Sequence, residues 1–360
     1  MDKHLLFLFF MMLIGIYASA SDEIRLVVGT YTGSGSKGIY SYSFNQSTGD
    51  AVPLDSLALT NPSYLTPSRD GRFIYVVSEN NDNTAALSAI QFDKATGGMT
   101  LLNSQLTGGE DPCYVDVNGQ LALTANYSGG SMSVFPILAN GRLGARTQLF
   151  RGHVGGPDKN RQATAHVHCT RFFGKDNVFV TDFSADQILG FKRIGTKLIP
   201  LGVIGKADRD SGSRHLEFSH DGRFVYLISE LSGNVTVFHC RKGKLTKRQV
   251  IASDTVGARG AADIHLSPDG RYLYSSNRLK ADGITIFKVN SKDGTLTRTG
   301  YQPTGIHPRN FNITPNGRFL LVACRDSNLI QVFAIDSNTG LLTDMHKDIH
   351  FGKPVCVKFI

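Results

Sequence analysis

Four copies of one short pattern constrain this 360-residue chain more than any other feature: SRDGRFIYVVSE (68–79), SHDGRFVYLISE (219–230), SPDGRYLYSSNR (267–278) and TPNGRFLLVACR (314–325). VNGQLALTANY (117–127) and FGKDNVFVTDF (173–183) are weaker copies, and the full copies from 219 onward recur about every 48 residues. A repeat of that period signifies a solenoid or a propeller, because each unit can bury its apolar face only against its neighbours. Short alternating segments precede the turns (HLEFS, IHLS, NFNIT) and follow them (GNVTVF, GITIFKV, LIQVFAI), and a third segment often ends at a turn such as SKDGTLTRTG. Val, Ile, Tyr and Phe dominate these runs, and Asp-Gly or Asn-Gly supplies the positive φ of tight hairpins, so the units read as β. Helix-period stretches are missing. Four short antiparallel strands per unit make one propeller blade.

Six turns predict six blades, and the chain ends supply a seventh. LVVGTY (26–31) and GIYSYSF (38–44) read as second and third strands lacking a first, and PVCVKFI (354–360) reads as a first strand with nothing after it. The expected fold is therefore all-β: one seven-bladed β-propeller over residues 21–360, its ring closed by the C-terminal strand joining the N-terminal blade. Closure of this kind removes the open sheet edges that invite aggregation.

Residues 1–20 stand apart. Lys3, an apolar run from Leu5 to about Tyr17 and Ala18-Ser19-Ala20 follow the plan of a cleaved signal peptide. The run is shorter than the ~20 residues of a spanning helix. The expected mature chain starts near Ser21, has no membrane anchor, and works in the periplasm or outside the cell. The five cysteines show no zinc-ligand spacing and read as buried single thiols. The formal net charge of +8 favours anionic ligands. Nucleic acid is not an expected partner, because the basic residues are scattered and form no recognised binding motif.

Folding the hairpin about Asp221-Gly222 sets Arg214 opposite Glu230 at the end away from the turn. Applied to every blade, this register puts Glu79, Asn126, Asp182, Glu230, Asn277 with Arg278, and Arg325 on one rim of the central channel. Opposite them lie Asn61, Asp111, His166 with His168, Arg214, Asp263 and Arg309. His166, His168, Arg214, His215, Glu230 and Arg278 concentrate on three adjacent blades, which marks the expected site. Arginines able to clamp a carboxylate or phosphate beside a carboxylate able to act as a base suit hydrolysis or closure of an ester bearing an anionic group. Arg214 would hold Glu230 ionised. No metal is expected: His166 and His168 share a strand face but lack an obvious third ligand. A G-x-S-x-G nucleophile elbow is missing, and GSGSKG (33–38) lies in a hairpin rather than between strand and helix, so it is no phosphate loop.

From VGTYTGSGSKGIYSYSF through RQATAHVH, GSRHLEFSHDGRFVYLISEL and ADIHLSPDGRYLYSSNR to HPRNFNITPNGRFLLVA, the chain resembles the seven-bladed β-propeller lactonase family. That family includes a bacterial type of 6-phosphogluconolactonase and the 3-carboxy-cis,cis-muconate lactonizing enzymes. The resemblance implies His166, Arg214, Glu230 and Arg278 as catalytic residues; His168, His215, Asn277, Asn126 and Arg325 on the same rim are the expected substrate contacts. It further implies a cofactor-free hydrolase acting on a small anionic sugar lactone, with Glu230 or His166 activating water. A carboxymuconate-type cyclase and a non-catalytic propeller that binds an anionic ligand are the alternatives. Ser213, Thr164-Ala165, Ser229 and Asp263 stand where the family more often has Pro, Gly-Pro, Asn and a longer acid.

Overall fold

The SxDGR turn explains why the repeat recurs with so little variation. In a computed structural model, which describes residues 22–33 and 35–360, Ser219 Oγ donates to Asp221 at 2.7 Å and accepts from the Phe224 amide at 2.9 Å. The Asp221 carboxylate accepts from the Arg223 amide at 3.0 Å, and Gly222 takes φ 68°. Ser68, Ser267 and Thr314 build the same turn with Asp70, Asp269 and Asn316. The turn arginines reach the next blade, Arg223 to the Ser291 carbonyl and Arg271 to that of Ser337. The turns are therefore structural staples between blades.

Seven antiparallel sheets follow one another around the ring. Blade 5, for example, runs Ser213–Phe218, Phe224–Ser229, Asn234–Arg241 and Lys244–Ala252. Blade 1 is made by both chain ends: Pro354–Phe359 pairs with Glu23–Thr30, Val357 opposite Val28, and Gly38–Asn45 and Ala51–Ala58 continue outward. Blades 2, 3, 4, 6 and 7 begin with Leu65–Pro67, Pro112–Val117, Val167–Phe173, Ala261–Leu266 and Pro308–Ile313. The fold expected from the repeat, including its closure, is the fold observed.

The core lies between blades. Phe224, Tyr226, Ile228 and Val235 of blade 5 pack with Ile264, Leu273 and Phe287 of blade 6. Each such side chain contributes roughly 1.5–3 kcal/mol on full burial. All five cysteines are buried free thiols. Among the described residues no helix is long and apolar enough to cross a membrane. The expected signal peptide lies outside the described residues.

One irregularity positions the site. In the first strand of blades 3 to 7 the ladder slips by one residue close to the strand's start: between Pro112 and Tyr114, Val167 and Cys169, Ser213 and His215, Ala261 and Ile264, and Pro308 and Asn310. A bulge of this kind leaves one residue unpaired and re-aims its side chain. The bulged residues include Cys113, His168, Arg214 and Arg309.

Candidate active site

Beyond each second strand, one amide per blade closes the hairpin. The N–H groups of Tyr31, Glu79, Tyr127, Phe183, Glu230, Arg278 and Arg325 donate to the carbonyls of Lys353, Asn61, Asp111, His166, Gly212, Gly260 and His307 at 2.8–3.2 Å. These seven residues are equivalent and form one ring around the mouth of the channel. Several of the accepting residues are left-handed, among them Asn61, Asp111 and His307, and Gly212 at φ 64°. At Gly212 an added Cβ would lie 2.6 Å from Leu231 and 2.9 Å from Phe183, so glycine is required there.

This ring corrects the sequence register at three second-strand positions, and on the first strands Gly212, Gly260 and His307, rather than Arg214, Asp263 and Arg309, stand opposite Glu230, Arg278 and Arg325. Asn126, Asp182 and Asn277 stand one residue before the ring, and successive strand residues face opposite ways. Asn126 is fully buried and bonds Ser131 and Ser133 inside its own blade. Asn277 is tied to Ser253 and Thr285, and Asp182 to the His153 amide and Gln187. The side chains facing the channel are Tyr127, Phe183 and Arg278. The signal was present: each quoted copy of the repeat ends on the ring residue.

Glu230 is the centre of the strongest cluster. Its Oε2 accepts from Arg214 Nε at 2.9 Å and faces Arg278 Nη2 at 3.2 Å, and its Oε1 accepts from Arg161 Nη2 at 2.7 Å. Burial pushes the carboxyl up, but Arg278, Arg214 and Arg161 together outweigh it and hold Glu230 down to about 2. Arg278 is lowered to about 9 by burial, with Arg214, Arg309 and Arg325 adding to the effect against Glu230. It stays cationic at neutral pH. Three guanidiniums on one carboxylate leave a surplus of positive charge, with Arg214 and Arg278 buried and Arg161 partly exposed at the mouth.

Arg161 had no role assigned from sequence. It comes from the segment between the blade 3 and blade 4 sheets, which is pinned over the channel. Gln162 bonds Asp186 at 2.8 Å, and Arg259 bonds Asp158 at 2.7 Å. Gly130 at φ 54° lets this segment approach, since a Cβ there would meet the Ala165 carbonyl at 2.4 Å. Arg161 also donates to the Tyr127 hydroxyl at 3.1 Å.

His166 stacks on Tyr127 with ring centroids 4.2 Å apart and donates Nδ1–H to the Tyr127 carbonyl at 2.8 Å. That bond fixes the tautomer and leaves Nε2 as an acceptor, which takes a hydrogen bond from the Thr164 hydroxyl at 3.3 Å. Burial, with Arg161 adding to it, lowers the pKa of His166, so the imidazole is neutral at pH 7.

Beneath this level, His215 accepts from Arg214 Nη1 at 3.3 Å and donates to Asp263 at 2.7 Å. Burial and then Arg214 press His215 down to about 3. Asp263 also meets His265 at 3.0 Å, and His265 continues to Glu217 at 3.2 Å. His168 is buried edge-on to His215 and contacts the Cys113 sulfur at 3.6 Å. His168 and His215 therefore support the floor, and Tyr64 stacked on Tyr114 completes it. Arg325 lies at the rim, held in two hydrogen bonds by its neighbour Asp326. Among the described residues no cluster of three or more His, Cys, Asp or Glu has metal-binding geometry.

A cavity of about 470 Å³ lies elsewhere, between the turns of blades 2 and 3, lined by residues such as Arg69, Phe73 and Leu138. Its charged lining, Asp70 with Arg72, belongs to the structural turn, Asp70 being bonded by Ser68 and Arg72.

Residues 25–359 match the family model described as lactonase, 7-bladed beta-propeller. A 6-phosphogluconolactonase of Formosa agariphila is 34% identical over 339 residues, covering 90% of this chain and 96% of the relative. A crystal structure from Bacteroides uniformis, provisionally assigned as a 6-phosphogluconolactonase, is 59% identical with TM-score 0.93, covering 94% of this chain and 100% of that one. The periplasmic gluconolactonase of Pseudomonas aeruginosa is 32% identical with TM-score 0.89, covering 94% and 99%. The chain belongs to the seven-bladed β-propeller lactonase family.

Proposed function

We propose that this protein hydrolyses a sugar lactone, with His166 as general base and the Arg161, Arg214, Arg278 and Glu230 cluster as the electrostatic clamp. The observation that carries this reading is the pairing of opposite properties at one mouth. His166 is neutral with Nε2 unprotonated and engaged only by the Thr164 hydroxyl at 3.3 Å, while Glu230 has both oxygens engaged by guanidiniums and a pKa of about 2. A carboxylate that acidic is a weak proton acceptor, whereas an imidazole whose pKa burial has lowered from its ordinary 6.5 is in its basic form at neutral pH. Of the two groups proposed from sequence, His166 is the better base, and Glu230 arranges the arginines.

In the proposed step His166 Nε2 takes a proton from water as its oxygen adds to the lactone carbonyl. The carbonyl oxygen becomes anionic and is stabilised by guanidinium N–H groups of the surplus-positive cluster. The tetrahedral intermediate then collapses, the bond to the ring oxygen breaks, and the imidazolium returns the proton to the leaving alkoxide. The product is the open hydroxy acid, and proton and electrons balance within the step. The surplus charge suits a small ligand that is anionic or becomes so during reaction. The names of the Formosa and Pseudomonas relatives support a phosphorylated or a free gluconolactone. Export by the N-terminal segment belongs to the same proposal and favours the free sugar, since sugar phosphates are cytoplasmic metabolites.

Hydrolysis of 6-phosphogluconolactone and glucono-δ-lactone by the chain from Ser21, alone and as His166→Asn, tests it. Turnover of either lactone that falls by about 100-fold or more in the variant supports the reading. Turnover of neither lactone, or equal rates in both proteins, overturns it.

A further inference from the structure

On the far side of the channel mouth, blades 7, 1 and 2 bring together a second polar group that the hydrolytic step does not use. Arg309, a bulge residue of blade 7, lies over the Tyr31 ring with its guanidinium carbon 5.5 Å from the centroid. Its Nη2 meets the Glu79 carboxylate at 3.2 and 3.3 Å. The Tyr31 hydroxyl donates to Glu79 at 2.7 Å, and Ser63 donates to the other carboxylate oxygen. Tyr31 and Glu79 are ring residues equivalent to Glu230, so this group stands at the same depth as the proposed clamp. Arg309 spends only Nη2 on protein acceptors; Nε and Nη1 have none among the described residues and are not sealed from solvent. Burial raises the Tyr31 hydroxyl well above its ordinary range, so it remains a neutral donor.

The two groups differ in charge. Glu230 faces three guanidiniums, whereas Arg309 has its own carboxylate in Glu79, and Arg325 has one in Asp326. The far wall is therefore close to electroneutral while offering the Arg309 Nε and Nη1 donors next to the Tyr31 phenol oxygen, which can still accept and is held in place by a Glu79 carboxylate engaged by Tyr31, Ser63 and Arg309. A hydroxyl group needs one donor and one acceptor, and adjacent hydroxyls need them side by side. A second anion would gain little there and would meet Glu79.

We infer that Tyr31, Glu79 and Arg309 form a specificity subsite that binds the hydroxylated, uncharged end of the substrate, opposite the ester bound at His166 and Arg214. This rests on the lactone-hydrolase reading for the position of the ester. Its consequence is a preference for a free polyhydroxy lactone over one with a phosphoryl group at the far end.

The test compares wild type, Tyr31→Phe and Glu79→Gln on glucono-δ-lactone, 6-phosphogluconolactone and δ-valerolactone, which has no hydroxyl groups. Each variant's melting temperature is recorded to show that it folds. The expected result is a KM for glucono-δ-lactone about tenfold higher in Tyr31→Phe, with kcat and the δ-valerolactone rates unchanged. Glu79→Gln should follow the same split, and the phosphorylated lactone should have no lower KM than the free one in wild type. Equal losses on hydroxylated and bare lactones, no change on either, or a lower KM for the phosphorylated substrate would overturn the subsite while leaving lactone hydrolysis standing. If wild type hydrolyses no lactone, the functional reading fails separately, and the subsite is decided by calorimetric titration with gluconate and 5-hydroxypentanoate. Tighter binding of gluconate that Tyr31→Phe abolishes sustains it; equal binding of the two acids, or binding of neither, overturns it.

Discussion

Arg214 Nε lies 2.9 Å from the Glu230 carboxylate although the two residues are not ladder partners. The Glu230 amide pairs with Gly212, and Arg214 occupies the bulge between Ser213 and His215, which turns its side chain back across the hairpin. The contact thus depends on one extra residue in the first strand. Glu230→Gln should leave Arg214 and Arg278 as buried cations without their counter-charge. Breaking a buried pair from one side costs about 3–5 kcal/mol. We expect a clear fall in Tm, partly restored by millimolar phosphate, together with a loss of at least about 100-fold in kcat/KM. An unchanged melting curve would remove Glu230 as the keystone of the cluster.

The pH dependence of catalysis should separate His166 from Glu230. Burial lowers the His166 pKa from 6.5, so the neutral base accumulates as pH rises through a value below 6.5. The rate should climb there and then stay level toward pH 8. His166→Asn should lose that limb along with most of the rate. A limb that survives unchanged in the variant belongs to another group.

Acid stability follows from the same groups with a definite sign. His215 and His307 are both pressed down to about 3, chiefly by burial and then by Arg214 and Arg278 respectively. A histidine with a depressed folded pKa binds its proton more readily when unfolded, so stability falls as pH drops from about 6.5 toward 3. Glu230, held to about 2, adds to the loss below its ordinary value of 4.5. His265, raised by Asp263 and Glu217 against burial, acts in the opposite direction: its contribution is present at low pH and fades as pH rises through its folded value. We expect thermal melts between pH 7.5 and 4 to show a steep net fall in Tm, and His215→Asn to flatten it. A Tm that is level over this range would contradict the buried neutral histidines.

The two sides of the second strand should respond differently to substitution. Asn126→Ala breaks bonds to Ser131 and Ser133 within blade 3 and should cost about 1–3 kcal/mol in urea unfolding with little effect on kcat. Tyr127→Ala, one residue on, removes the face on which His166 stacks and an acceptor of Arg161, and should lower kcat. The reverse pattern would restore Asn126 to the site.

The repeat, the blade count, the closure by both ends and the neighbourhood of Arg214, Glu230, Arg278 and His166 were all legible in the sequence. The reason is that each depends on short-range rules: strand alternation, hairpin turns with positive φ, and repetition at a constant spacing. A turn built by Ser219, Asp221 and Gly222 can be read in any chain that contains those residues in that order. Three-dimensional packing decided the rest. The bulge takes Arg214 and Arg309 out of the ladder and turns their side chains to Glu230 and Glu79, a placement that strand alternation alone does not specify. Arg161 reaches Glu230 from a segment 69 residues earlier, and Arg309 reaches Glu79 across 230 residues. Neither pairing leaves a local pattern, because the ring brings together residues that no single hairpin contains.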